Sequence, residues 1–213
     1  MQDPVITTIK SYEIKAEEYI RNTDQLAYFP DLPAMLDKFI ALLPGPCVLD
    51  VAFGAGRDTL YLMANGLSVQ GVELTMPFIQ KLKEAISVPL YKMDMRYLGF
   101  VNDCFDGIWC CSAFLHIPRV DALDTLRGFS RVLKPGGIIY LDVKEGHGYE
   151  WKSEGNINQA NRYFTYYETN ELTELLEQAD IEVLFTRRQS HAKIQDKPGW
   201  INIIGQKRGL TRI

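Results

Sequence analysis

Val48-Leu49-Asp50-Val51-Ala52-Phe53-Gly54-Ala55-Gly56-Arg57-Asp58-Thr59 runs from an apolar stretch ending in an acid, through closely spaced small residues, into a segment able to start a helix. That order reads as a buried strand, a tight turn and a helix N-terminus, the place where α/β sheets hold their ligands. Gly54 and Gly56 have no Cβ, so the backbone can turn sharply and a ligand can lie against it. Two phosphate-binding fingerprints fail on register. A dinucleotide loop needs a third glycine, but Thr59 holds that place counted from Gly54, and Arg57 holds it counted from Ala52. A Walker loop needs a Lys-Ser/Thr pair after its glycines, and none follows.

The pattern continues outward. Leu67-Ser68-Val69-Gln70-Gly71-Val72-Glu73 reads as a second strand ending in an acid. A carboxylate there can accept two hydrogen bonds from a ribose diol, which suits adenosine. Val88 to Met95 reads as a third strand ending in Asp94-Met95, and Phe105 to Pro118 as a fourth strand with its loop. Arg131-Val132-Leu133-Lys134-Pro135-Gly136-Gly137 then launches Ile138-Ile139-Tyr140-Leu141-Asp142-Val143 through a Pro-Gly turn.

The series acid-x-(small)-x-Gly-x-Gly, with Asp50 as the acid and Ala52 in the first glycine place, resembles motif I of the class I S-adenosylmethionine-dependent methyltransferases. The later segments fall in that family's order, and the resemblance covers most of the chain. It implies an α/β fold: a doubly wound, mostly parallel seven-stranded sheet of order 3-2-1-4-5-7-6 with helices on both faces. It also implies S-adenosylmethionine as cofactor, held by Asp50, Gly54, Gly56, Glu73, Asp94 and Met95. Asp94 would accept from the adenine amino group, Arg57 would pair with the cofactor carboxylate, and the Cys110 carbonyl would hold its amino group. Ala52 departs from the pattern, because alanine disfavours the positive φ that glycine allows. The segment Tyr12-x-x-x-Ala16-x-x-Tyr19 resembles the family's N-terminal helix, whose second tyrosine closes over the cofactor.

The chain of 213 residues reads as a single domain over 1–213, with a helical cap over 1–45. Helices are expected over Arg57–Asn65, Met76–Ile86 and Val120–Val132, and from Glu171 to Ala179 behind an Asn170 cap. Residues 145–169 are too long for a tight connection and carry six aromatics, Tyr149, Trp151, Tyr163, Phe164, Tyr166 and Tyr167, among glycines that include Gly155. They read as a substrate-covering loop, with Tyr149, Tyr163 and Tyr166 as acceptor contacts; a stiff loop packed by its own side chains is the alternative. His116 is the leading candidate base, since an unperturbed imidazole titrates near pH ~6.5, and Glu145 follows. His116, His147 and His191 show no metal-ligand spacing, so no metal is expected.

Hydrophobic residues at 46% can fill a core, and no apolar run reaches the ~18 residues of a membrane span. The first residues lack the regions of a signal peptide, and the four cysteines form no C-x-x-C pair, so free thiols in a cytoplasmic protein are expected. The net charge of −4 argues against a nucleic-acid partner. Arg187, Arg188 and Lys193, and Lys207, Arg208 and Arg212, read as solvated surface charge. The expected function is methyl transfer to a small-molecule acceptor. The alternatives are an RNA or protein side-chain acceptor, or a SAM-binding regulatory module without catalysis.

Overall fold

In a computed structural model, which describes residues 2–153, 161–189 and 199–209, three α-helices precede the first strand. Gly155, His191, Lys193 and Arg212 lie outside the described residues. Helix α1 (Pro4–Ile14) starts where the Asp3 carboxylate accepts from the Val5 amide at 2.9 Å, with proline in its first turn. A break at Lys15 separates it from α2 (Ala16–Thr23), and α3 (Leu32–Leu42) follows. Despite the break, Tyr12 and Tyr19 meet edge to face at 5.2 Å.

The alternating part then runs β1 (Cys47–Val51), α4 (Arg57–Ala64), β2 (Ser68–Glu73), α5 (Met76–Ala85), β3 (Leu90–Lys92), β4 (Phe105–Cys110), α6 (Arg119–Val132) and β5 (Leu133–Lys144). A hairpin of β6 (Tyr149–Lys152) and β7 (Arg162–Thr165) comes next, followed by α7 (Thr169–Gln178), β8 (Ile181–Gln189) and β9 (Trp200–Lys207). The main sheet has seven strands in the order β3-β2-β1-β4-β5-β9-β8. The pairings from β3 to β5 are parallel, and β9 is antiparallel to both of its neighbours. Counted within the sheet alone, this is the expected 3-2-1-4-5-7-6 succession; the separate β6–β7 hairpin shifts the numbering.

Period-two alternation divides the core. Val48, Trp109, Ile138, Tyr140 and Ile204 point to one face, against Leu36 and Phe39 of α3 and Leu62 of α4. Leu49, Ile108, Ile139, Leu141 and Ile203 point to the other, against Leu126 and Phe129 of α6 and Leu172 and Leu176 of α7. No helix of the described residues is long and apolar enough to cross a membrane.

Three expectations change in detail. Helix α7 begins at Thr169, so Asn170 lies inside its first turn and caps nothing. The Pro135-Gly136-Gly137 turn is absorbed into β5 as an irregularity, where the register with β4 jumps between Phe105↔Leu133 and Gly107↔Ile138. Ala52 does adopt positive φ, +56°. The turn after β1 therefore imposes the left-handed conformation even on alanine, at a cost of ~1–2 kcal/mol. Glycine would remove that strain but lose ~0.4–1 kcal/mol through a freer unfolded chain. Ala52→Gly is thus expected to raise the melting temperature by about 2 °C, and calorimetry would detect the change; a lowered melting temperature would contradict the strain.

Candidate active site

The carboxyl ends of the parallel strands converge on two adjoining cavities. A narrow cleft of about 70 Å³ is lined by Gly54 from the β1–α4 turn, by Glu73 at the end of β2 with Leu74 and Thr75 after it, and by Met93, Asp94 and Met95 after β3. A larger cavity of about 440 Å³ opens beyond it, among residues of α2, β5, β7 and β9. Tyr12, Tyr19, Cys111, Ser112 and His116 line both and form their common wall.

The cleft carries two carboxylates, Glu73 and Asp94. Glu73 is buried and accepts from the amides of Leu74 at 2.8 Å, Thr75 at 2.9 Å and Gly54 at 3.1 Å. Burial raises its carboxyl against those three donors. A carboxylate offers about four acceptor sites, so Glu73 has room for one further hydroxyl rather than the expected two. Asp94 caps the turn at Met95 by accepting from the Arg96 amide at 2.9 Å. The Arg96 guanidinium holds the same carboxylate at 2.7 Å and ties it to Asp3 at 2.7 Å and Asp121 at 3.2 Å. One arginine thereby links α1, the cleft and α6. The Tyr12, Tyr19 and Phe78 rings pack together across the cleft, with Tyr19 and Phe78 centred 5.1 Å apart. A Cβ on Gly54 would lie 3.5 Å from the Tyr19 ring, so Tyr19 lies directly on the glycine turn.

A small recess beside the cleft is lined by Asp50, Ala55, Arg57 and Asp58. Arg57 holds Asp58 through two nitrogens, at 2.7 and 3.0 Å, reaches the Thr23 carbonyl at 3.2 Å and lies over the Phe29 ring. Trp109 Nε1 adds a third bond to Asp58, at 3.0 Å. The guanidinium proposed for the cofactor carboxylate is thus already held by its sequence neighbour. Burial pushes the Asp50 carboxyl up to about 8, and the nearby Asp58 adds to the rise, against the Thr59 hydroxyl donated at 2.5 Å.

On the common wall, His116 Nδ1 faces the Tyr163 carbonyl at 2.6 Å. A carbonyl only accepts, so Nδ1 carries the proton and Nε2 accepts from the Tyr12 hydroxyl at 3.0 Å. Arg162 donates to that hydroxyl at 3.3 Å. Burial brings His116 down to about 3, with the charges of Arg162 and Lys144 acting in the same direction. The imidazole is neutral and a poor proton acceptor at physiological pH, which removes the reason for expecting a base there. Its geometry fits positioning Tyr12.

Sheet register builds the wall of the larger cavity. Tyr140, Asp142 and Lys144 alternate along β5, and Asn202 and Trp200 lie opposite the last two on β9. Asp142 accepts from the Ser112 hydroxyl at 3.1 Å and from the Ser112 amide. Ser112 has φ +53°, which turns the chain after β4 toward the acid. Burial lifts Asp142 to about 6. From β7, Arg162 and Phe164 face the cavity.

Several expected site residues fall elsewhere. Gly56 is not among the residues lining the cavities; it starts α4 with its α-carbon against Leu82. Cys110 is not among the residues lining the cavities, and its side chain, as distinct from the carbonyl expected at the cofactor, is buried in the apolar core; the next residue, Cys111, reaches the common wall. Glu145 is bound by Arg188 and lines neither cavity. The segment read as a loop over 145–169 contains the paired β6–β7 hairpin, whose alternation turns Tyr163 away from the cavity, onto Tyr149 and Trp151. Tyr149 is largely exposed, and Tyr166 donates to Glu150 at 3.0 Å. Arg162, Phe164, Asp142 and Asn202 were not identified from sequence. A single acid in the apolar β5 run and a single amide in Ile201-Asn202-Ile203 were the available signals.

Residues 48–137 match the family model of a methyltransferase domain. Methyltransferase GfsG of Streptomyces halstedii is 26% identical over 167 residues, covering 66% of this chain and 59% of the relative. The ubiquinone biosynthesis O-methyltransferase of Xanthomonas campestris pv. campestris is 28% identical over 119 residues, covering 52% and 49%. The chain thus spans about half the length of curated relatives it matches. In fold it is similar to the 1,6-didemethyltoxoflavin-N1-methyltransferase of Burkholderia thailandensis, solved with 1,6-didemethyltoxoflavin and S-adenosylhomocysteine. The TM-score is 0.74 at 21% identity, over 98% of this chain and 91% of that one, a likeness of fold alone.

Proposed function

We propose that this chain is a class I S-adenosylmethionine-dependent methyltransferase that transfers a methyl group from S-adenosylmethionine to a small-molecule acceptor, the methyltransferase-domain match over residues 48–137 supporting the family. The observation that carries the reading is the common wall: one set of five side chains lines both a cleft of adenosine-like chemistry and a cavity large enough for a second ligand. The donor set fits the cofactor. Glu73 would receive a ribose hydroxyl, Asp94 the adenine amino group, and Leu74, Met93 and Met95 the faces of the base. Bound there, the cofactor supplies a methyl already activated on a sulfonium. The chain's own residues supply orientation and exclusion of water. Tyr19 covers the Gly54 turn, and His116 fixes the Tyr12 hydroxyl between the two sites. Asp142, ionised above about 6, is placed to take a proton from the acceptor. The relatives named for small-molecule methylation support this acceptor class, and the free thiols suit the cytoplasm.

The test is binding of S-adenosylhomocysteine by calorimetry, with Glu73→Ala beside the parent. Removing a charged acceptor should cost roughly 1.5–3 kcal/mol, a ten- to hundredfold loss of affinity. Turnover with a pool of small acceptors, followed as S-adenosylhomocysteine release, completes it. A parent chain that binds no S-adenosylhomocysteine, or a Glu73→Ala variant that binds it equally well, would refute the cleft as the cofactor site.

A further inference from the structure

Two polar side chains stand side by side in the wall of the larger cavity. Asp142 of β5 and Asn202 of β9 are register partners in an antiparallel pair, and both line the cavity. Directly opposed residues of this kind project from the same face of a sheet, with Cβ atoms about 4.5–5.5 Å apart. The Ser112 amide and the Ser112 hydroxyl each take one oxygen of Asp142. A carboxylate offers about two sites on each oxygen, so each keeps one for a further donor.

Asn202 is only 5% exposed, and its side-chain amide nitrogen has no hydrogen-bond partner among the described residues. Its oxygen accepts from the Tyr140 hydroxyl at 3.1 Å, which leaves the amide hydrogens to be given elsewhere. Buried donors of this kind are normally satisfied, and leaving one unmade is costly. The wall thus sets an acceptor, Asp142, beside a donor, Asn202. Its complement is a ligand edge with a donor next to an acceptor. A cyclic amide has that edge, N–H beside C=O, and its ring keeps the two from bonding each other. A hydroxyl beside a carbonyl has the same groups but closes on itself through an internal hydrogen bond. Phe29, Phe164 and Trp200 in the same lining supply area for a flat ring.

We infer that the acceptor is a small planar cyclic amide, its N–H held by Asp142 and its neighbouring carbonyl oxygen received by the Asn202 amide. The inference rests on the methyl-transfer reading for the identity of the cavity and adds the class of molecule the cavity selects. A site built to bond both groups rejects analogues lacking either one, because its own buried partner is then left unpaired.

Bicyclic probes of one size separate the two bonds: oxindole carries the N–H and the carbonyl, benzofuran-2-one the carbonyl alone, and indole the N–H alone. A larger pair, 2-quinolinone and coumarin, repeats the first comparison. Each is titrated by ligand-observed NMR into the full chain saturated with S-adenosylhomocysteine. Oxindole should bind at least about tenfold tighter than benzofuran-2-one and about three- to tenfold tighter than indole. Asp142→Asn should shrink the first ratio severalfold. Asn202→Leu should bring oxindole down to indole and leave indole unchanged. Unchanged S-adenosylhomocysteine affinity in both variants shows that they are folded, and the ratios in the parent stand without either variant. Oxindole binding no tighter than its two analogues, an equal loss of oxindole and indole in Asn202→Leu, or no binding of either cyclic amide to the loaded protein overturns this inference and leaves the cofactor assignment standing. Failure of S-adenosylhomocysteine to bind the parent overturns both.

Discussion

Asp142→Asn is expected to lower turnover by at least about a hundredfold for an acceptor that must lose a proton, the low end of what a positioned base contributes. Affinity for S-adenosylhomocysteine should stay unchanged, because Asp142 lines the larger cavity and not the cleft. The pH profile separates this role from a structural one. Burial holds the carboxyl up to about 6, so its proton-accepting form is lost as pH falls through that value. The parent's kcat/KM should therefore rise with pH across that limb, and the asparagine variant should lack it. The sign for stability is opposite: a carboxyl raised above its unfolded value favours folding at low pH and loses that contribution as pH rises through about 6. Asp142→Asn should accordingly melt no lower than the parent at neutral pH. Full turnover in the variant, or an unchanged acidic limb, would take the proton-accepting role away from Asp142.

Gly56→Ala should be the most damaging single change in the motif that opened the sequence. Gly56 has φ +85°, and a Cβ there would sit 2.3 Å from a methyl of Leu82, a residue buried in the α5 contact. Left-handed strain of ~1–2 kcal/mol adds to overpacking of ~1–3 kcal/mol, for a total of about 2–5 kcal/mol. A fall of about 5–15 °C in melting temperature follows for a chain of this size. Gly54→Ala provides the contrast. There φ is +56° and the nearest neighbour is the Tyr19 ring at 3.5 Å, so the loss of stability is limited to the strain. Its main effect should be on S-adenosylhomocysteine affinity, because Gly54 lines the cleft. Equal melting temperatures for the two variants would contradict this division between a packing glycine and a site glycine.

What was legible in the sequence follows from how locally each feature is encoded. The strand-turn-helix at Val48–Thr59, the acid closing β2 and the Asp94-Met95 pair are contiguous signals, and the sheet brings them to one cleft. The wall of the larger cavity is encoded differently. It is the sum of period-two positions on β5, β7 and β9, far apart in the chain and aligned only by register. Counting aromatics in 145–169 pointed to the right segment but to the wrong parity, since pairing of β7 turns Arg162 and Phe164 inward and Tyr163 outward. His116 lay in the expected loop, yet its burial between Tyr12 and the Tyr163 carbonyl has no local signature. Gly56 and Ala52 show the same limit within the motif. Spacing identifies a turn that demands positive φ, but only packing separates the glycine that meets a ligand from the one that meets a helix.

In the proposed complex the cofactor's sulfur faces the larger cavity across the wall of Tyr12, Tyr19, Cys111, Ser112 and His116. A crystal structure of the chain with S-adenosylhomocysteine tests it directly. The ribose is expected at Glu73, the adenine beside Asp94 and Met95, and the sulfur opening toward Asp142 and Asn202. Density that places the nucleoside elsewhere, or that turns the sulfur away from this wall, would contradict it.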